Sequence, residues 1–427
     1  MGSKKLRVFL IDVDGVMVEA LAYRHTLRTT LELLLARFGI ARARDFIPGP
    51  GDISSMEACG VHDVWDITCI SFALVLERLF AFQAKSADST YSVLDGEFDF
   101  DDLFFSLAAL GTGLNSSDRP DYSALCKYFI STSSATDYPP SAAYDYIDAK
   151  MLEYMSSEDL EAARLAIASV LLHSRDVYEN RVTRLFQELL LGAAIFEDTY
   201  GLPSSSMEDP ILMSRDRVLI RPDAVAALRE MSKAEDFCLS VYTARPSSPP
   251  ARGESEEMLF GYSPEAELAL DMASMSDFAL VGMGAMRWLG EVSSKPVELL
   301  TKPHITHAMA ALMSALEGGL SRSLLFEAGE LIDGTRELSA TLLRKYADRE
   351  IEISVFEDTP AGVKPLVALV DFLSQRGLRL KLRTFGIAAE GGEKAAELSK
   401  YCERVFEDVN QALSFATGNL ALKATSR

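Results

Sequence analysis

Apolar positions gather into one short run at the start of the chain and then change period. Leu6 to Ile11 is an unbroken stretch of strand length apart from Arg7, which predicts a strand buried on both faces, as in a parallel sheet. From about residue 23 the spacing turns helical: Leu27, Leu31, Leu34, Leu35 and Phe38 share a face, and Gly39 marks a stop. A second helix is expected over Asp66 to Phe80. Residues 83 to about 150 are rich in Ser, Asp, Tyr and Gly with weak periodicity, which predicts short helices and loops. Helical spacing returns at Leu160, Ala163, Ile167, Val170 and Leu171, opened by Ser156 with Asp159 three places on, an approximate capping box. Val182, Leu185, Phe186 and Leu189 mark the next helix, and GLPSSSMEDP (201–210) reads as a linker.

Beyond the linker the pattern alternates. Pro222 opens a helix through Met231, and FCLSVY (237–242) is an apolar, β-prone run. Phe278 to Val281, Ile351 to Phe356 and Leu380 to Phe385 are further strand candidates with helical segments between them. This alternation predicts an α/β protein: a Rossmann-like parallel sheet with helices on both faces, and a large, mostly α-helical insert after the first strand. The expected division is a discontinuous core, 1–22 and 215–427, around an insert, 23–214. No internal repeat is found. PSSPPARGESEE (246–257) reads as a mobile loop. VGMGAM (281–286) lacks the third glycine and downstream acid of a dinucleotide site, so it is read as a turn with no cofactor role.

Composition narrows the choice of partner. The 427 residues carry a formal net charge of −21, which argues against a nucleic-acid surface. An anionic substrate would have to be drawn in by local cations or a metal. The five cysteines are scattered and form no CxxC pair, so free thiols are expected rather than a zinc site or disulfide framework. Asp12 and Asp14 interrupt the first apolar run too early for a secretory signal, and no stretch reads as apolar for long enough to span a bilayer. A cytoplasmic protein with no membrane partner is the default expectation.

The chemistry sits at the ends of the strand candidates. VFLIDVDGV (8–16) ends a buried run with two carboxylates and a glycine. Two acids crowded at the carboxyl end of a central strand repel each other unless they share a cation, and a divalent metal resolves the conflict. LSVYTARP (239–246) puts Thr243 directly after a strand, where a hydroxyl and backbone N–H groups can hold phosphate oxygens. LLTKPHITHAMAAL (299–312) puts Lys302 at a helix start that Pro303 is expected to open. ISVFEDTPAGV (353–363) ends a strand with Glu357 and Asp358, hard oxygen ligands suited to Mg²⁺. Glu407 and Asp408 repeat that dipeptide but lack the preceding β-rich run. His304 and His307 are read as helix-surface residues, and VHDVWDIT (61–68) as a helix start capped by Asp63 or Asp66.

Four motifs in this order, DxDG, a strand-terminal Thr, Lys-Pro and a strand-terminal Glu-Asp, resemble the haloacid dehalogenase superfamily, in its phosphoglycolate-phosphatase and β-phosphoglucomutase flavour. The resemblance covers roughly residues 5–22 and 215–415. It implies that Asp12 is a nucleophile forming an aspartyl-phosphate, and that Asp14 protonates the leaving oxygen and then activates water. It implies phosphate binding by Thr243 and the N–H groups after Asp12, with Lys302 stabilising charge. Gly15, Ala244 and Arg245 are the further candidate substrate contacts, and Arg245 reads equally as the partner of an acid. Mg²⁺ would be held by Asp12, the backbone carbonyl of Asp14, and Asp358, with Glu357 direct or through water. An acid at Asp14 implies a phosphatase or phosphomutase rather than a dehalogenase or transport ATPase. Two intervals depart from the family: Asp14 to Thr243 is more than twice the span of the usual helical cap, and Lys302 to Asp358 includes an apparent insertion. Ala244 also stands where Thr-Gly-Arg-Pro relatives have glycine.

The leading expectation is therefore a Mg²⁺-dependent phosphomonoester hydrolase acting on a small phosphorylated metabolite. A sugar phosphomutase with the same nucleophile is the nearest alternative. A catalytically silent scaffold, binding a protein partner through the insert, is the alternative of another class. Oligomeric state is not legible.

Overall fold

A computed structural model describes residues 5–84, 113–132, 138–206, 209–250, 262–389 and 392–418. The chain divides into two compact units, 1–21 with 215–427, and 22–214.

The 22–214 unit is helical. Its longer helices are α1 (Ala22–Arg37), α2 (Pro50–Ala58), α3 (Val64–Ala84), α4 (Tyr122–Thr132), α5 (Pro139–Met151), α6 (Ser157–Leu171) and α7 (Arg181–Tyr200). Their starts follow from local chemistry. Asp63 accepts the Trp65 N–H (2.8 Å) at the head of α3, and Ser156 accepts that of Asp159 (3.3 Å) at the head of α6. Asn180 accepts from Val182 and Thr183 (2.9 and 3.1 Å) at the head of α7. Helix α3 forms the centre, packed against α1, α5, α6 and α7. It corrects the reading that no segment could span a bilayer: α3 is long and apolar enough to do so. Every residue from Trp65 to Glu77 is buried within the unit, so its apolarity serves a protein core. The weakly periodic stretch 83–150 holds α4 and most of α5, both longer than expected, while 85–112 and 133–137 lie outside the described residues.

The other unit is the α/β core. Strands β1 (Lys5–Ile11), β4 (Phe237–Tyr242), β5 (Ala279–Val281), β6 (Glu350–Glu357), β7 (Arg379–Ile387) and β8 (Arg404–Phe406) form one parallel sheet in the order β5-β4-β1-β6-β7-β8. A two-residue ribbon, β2 (Val18–Glu19) with β3 (Arg217–Val218), joins the segments where the chain leaves and re-enters this unit. Side chains on β1 alternate between two cores. Leu6, Val8 and Leu10 pack in one with α10 (Met283–Ser293), α11 (Ile305–Glu317), α12 (Arg322–Ile332) and α13 (Pro360–Ser374). Phe9 and Ile11 pack in the other with α8 (Pro222–Met231), α9 (Glu265–Met272) and α15 (Val409–Ala416), which follows α14 (Gly392–Leu398). Both faces of β1 are covered, which is why Leu6–Ile11 reads as an apolar run rather than an alternating one.

One local reading changes. VGMGAM is no turn: Gly282 caps α10, and Gly284 lies inside it. A Cβ on Gly284 would fall 2.2 Å from the Ser247 carbonyl oxygen, so the glycine serves close packing against the 247–248 backbone. The segment read as an insertion before Asp358 contributes Leu324, Leu325, Ala328, Leu331 and Leu343 to the first core. Of the 246–257 loop, residues 251–257 lie outside the described residues.

Candidate active site

The strand order fixes where chemistry can collect. From β1 the chain adds β4 and β5 on one side, then returns to place β6 on the other, so β1 lies at the switch in strand order. The register pairs Ile11 with Val241 on one side and with Phe356 on the other. Asp12, Tyr242–Thr243 and Glu357–Asp358 therefore leave adjacent strands at the same sheet edge. The Asp12 N–H continues the ladder to the Phe356 carbonyl (3.1 Å), and the Thr243 N–H reaches that of Val281 (3.1 Å). After Asp12 the chain turns tightly, with the Met17 and Val18 N–H groups on the Val13 carbonyl (both 2.9 Å). Gly15 takes a left-handed φ of 71°, and a Cβ there would fall 2.2 Å from Asp358 Oδ2. Only glycine fits that approach.

Lys302 is a buried cation at this edge. Its Nζ lies 2.5 Å from Glu357 Oε1, 3.2 Å from Asp12 Oδ1 and 2.8 Å from the Tyr242 carbonyl oxygen, above the Tyr242 ring (3.9 Å to the centroid). Burial alone would lower its pKa, but the charges of Asp12 and Glu357 outweigh that and raise it. The ammonium stays charged. Lys302 is not at a helix start: His304 takes the extended cap position and accepts the Thr306 N–H (3.3 Å), so α11 begins at Ile305 and Pro303 precedes the cap. His307 is also not on the surface. It is fully buried, with Nε2 3.1 Å from the Val281 carbonyl and Nδ1 3.2 Å from the Lys302 N–H. A carbonyl only accepts, so Nε2 carries the proton and Nδ1 accepts from Lys302. Burial, then the nearby Lys302 charge, push the His307 pKa down to about 3. One carbonyl, that of Val281, thus anchors both Thr243 and the Lys302 loop.

The remaining carboxylates have cations of their own. Arg245 donates to Asp14 Oδ1 from Nε (2.9 Å) and Nη2 (2.5 Å), and from Nη2 to Asp216 Oδ2 (2.9 Å). Its guanidinium is fully buried and pairs with Asp14 and Asp216, the second of the two readings open to it, and not with a substrate. Burial raises the Asp14 pKa against the opposing pull of Arg245. With 36% of its side chain exposed, water screens part of that rise. Asp358 pairs with Lys394 (2.6 Å); burial, then the Asp12 charge, raise its pKa to about 6. Glu357 is raised well above the carboxylate range by burial, then by Asp12.

Asp12, Glu357 and Asp358 offer oxygens within 4.8 Å of one another. Together with Asp14 and Asp216, and counting only the ion pairs among the described residues, five carboxylates face Lys302, Arg245 and Lys394, a formal excess of two negative charges. Glu357 Oε2 is buried without a hydrogen-bond partner. Hard oxygens, a twofold charge deficit and an orphaned carboxylate oxygen fit a divalent cation such as Mg²⁺. The rival pair is a structural cap: Asp408 accepts the Gln411 N–H (2.9 Å) at the start of α15.

The fold therefore brings Asp12, Asp14, Gly15, Thr243, Lys302, Glu357 and Asp358 to one edge of the sheet, with Ala244 following Thr243 there. Asp216, His307, Tyr242 and Lys394 were not foreseen. A buried Arg245 demands acidic partners, but that burial is visible only in the structure, so the sequence held no signal for Asp216. The others act through backbone contacts or from distant helices and left no mark in the sequence.

Fold and site together define an α/β protein with a helical insert and a carboxylate–lysine cluster at the carboxyl end of a parallel sheet. No protein-family model matches the chain, and no curated protein sequence matches it. Among solved structures it is similar to an X-ray structure determined as a Northeast Structural Genomics Consortium target. The two share 13% identity at a TM-score of 0.61, over 96% of this chain and 98% of that one. At that identity the likeness shows the fold alone.

Proposed function

We propose that the protein is a Mg²⁺-dependent phosphomonoester hydrolase of the haloacid dehalogenase type, acting on a small phosphorylated metabolite through an aspartyl-phosphate. The observation that carries the reading is the meeting of Asp12 with Lys302, Glu357 and Asp358 at the ends of β1 and β6. In this reading Mg²⁺, held by Asp12, the Asp14 carbonyl and Asp358 with Glu357 in support, supplies charge neutralisation for the phosphoryl group.

Asp12 Oδ1 is occupied by the Val13 N–H (2.8 Å) and Lys302, which leaves Oδ2 to attack phosphorus. The ester P–O bond breaks as the aspartyl P–O bond forms, and Asp14 gives its proton to the leaving oxygen. Asp14, now a carboxylate, takes a proton from water. That water attacks the phosphorus, releasing inorganic phosphate and regenerating Asp12. Thr243 retains a hydroxyl proton for a phosphate oxygen, because its Oγ1 serves as acceptor to the Arg245 N–H (3.1 Å). Lys302 balances the charge on Asp12 throughout.

The test is a phosphate-release screen over sugar, nucleotide and carboxylic-acid phosphates with Mg²⁺, on wild type and Asp12→Asn. The expected result is metal-dependent turnover in wild type, absent from a folded D12N. Turnover retained by D12N sinks the proposal.

A further inference from the structure

We propose that Asp216 is a positioning residue for the acid–base step: through Arg245 it fixes the carboxyl of Asp14. The inference rests on the phosphatase reading and deepens it. Asp14 is partly exposed, and a carboxyl on a tight turn has several rotamers open to it. Arg245 removes that freedom by placing Nε and Nη2 on the same oxygen, Oδ1, at 2.9 and 2.5 Å. The other oxygen, Oδ2, takes no part in those bonds and is left to carry and deliver the proton.

Arg245 is itself held by Asp216, whose Oδ2 lies 2.9 Å from Nη2, and the side chains of both have 0% exposure. A buried guanidinium shared between two carboxylates is fixed in orientation, because turning it away strands the buried charge of Asp216. Asp216 arrives from the segment that re-enters the α/β unit. The next residue, Arg217, pairs in register with Glu19 and forms an ion pair with it (2.6 Å). Val218 pairs with Val18, whose carbonyl takes the Gly15 N–H (2.8 Å) in the turn that carries Asp14. Asp14 is thus tied twice to the re-entering strand, by backbone through Val18 and by side chain through Arg245.

The test uses the full-length protein with Mg²⁺ and two aryl phosphates of similar shape. Nitrophenolate leaves with little protonation, whereas phenolate needs the acid. Asp216→Asn is expected to lose at least about tenfold more kcat/KM, which reports transfer to Asp12 and not the shared hydrolysis step, on phenyl phosphate than on p-nitrophenyl phosphate, and Asp216→Glu to restore most of the loss. In an Asp14→Asn background, D216N is expected to add no further loss. Equal losses on the two esters, no loss, or an added loss in the D14N background overturns the assignment. Should D216N fail to fold, Arg245→Lys, which keeps the charge but not the fork, carries the same comparison with the same outcomes. Wild type active on both esters with equal losses in the variant overturns the role of Asp216 alone. Wild type hydrolysing neither overturns the phosphatase reading and this inference with it.

Discussion

Lys302 faces two carboxylates with its hydration shell removed, so its removal strands both. Deleting one partner of a buried pair strands the other, at about 3–5 kcal/mol. Lys302→Met is expected to lose several kcal/mol in a urea titration. Part of that loss should be recovered as pH falls, because Glu357, already raised, takes up a proton and sheds its charge. K302M paired with Glu357→Gln should recover stability at neutral pH as well. His307 gives a second test. Its folded pKa, about 3, lies below the ordinary histidine value, so the unfolded chain binds more protons between about pH 3 and 6.5. The neutral imidazole therefore contributes stability above that window that is lost as pH falls through it. An NMR titration should keep His307 neutral, protonated on Nε2, down to about pH 3–4, and a midpoint near 6.5 would remove the histidine from its buried place beside Val281.

Elements were legible where a single periodicity ruled them. Helix α8 and strand β4 have the bounds that the pattern gave, Pro222–Met231 and Phe237–Tyr242, because proline at the first turn and an apolar run buried on both faces are local signals. Strand β8 was missed, since three residues with one buried side chain, Phe406, leave too little pattern to read. Helix α10 was missed because its Gly284 answers a packing demand made by the 247–248 backbone, which no neighbouring residue announces. The cap of α7 is a quantitative case. Asn180 accepts two N–H groups and donates to the Val170 carbonyl (2.7 Å) in a buried position. Asn180→Ala should cost about 2 kcal/mol, the upper end for a cap, because a buried carbonyl is orphaned at the same time. Urea unfolding checks this, and a loss below about half that value would make the cap ornamental.

Across the molecule, the site is assembled from residues separated by most of the chain, and that separation set the limit of sequence reading. Asp12, Thr243, Lys302 and Asp358 were legible because each follows or supports an apolar strand, and a parallel sheet brings strand ends together. Which cation meets which carboxylate was not legible. Arg245 could have turned to ligand or to protein, and only the fold brings Asp216 within its reach. The excess of acid at the sheet edge also has a consequence for the whole fold. Mg²⁺ binding to the native state should raise the melting temperature, chelation should reverse the rise, and Asp358→Asn should remove it. A melting temperature indifferent to Mg²⁺ counts against the metal site.

The most direct test of the central claim is to look for the phosphoryl group on its proposed carrier. Asp14→Asn can still transfer phosphate from an activated aryl ester but cannot activate water, so the intermediate should accumulate. After a rapid acid quench of D14N with p-nitrophenyl phosphate and Mg²⁺, peptide mass spectrometry is expected to find the phosphoryl group on Asp12. Nitrophenol released with Asp12 unmodified, or the phosphoryl group on another residue, would contradict the account.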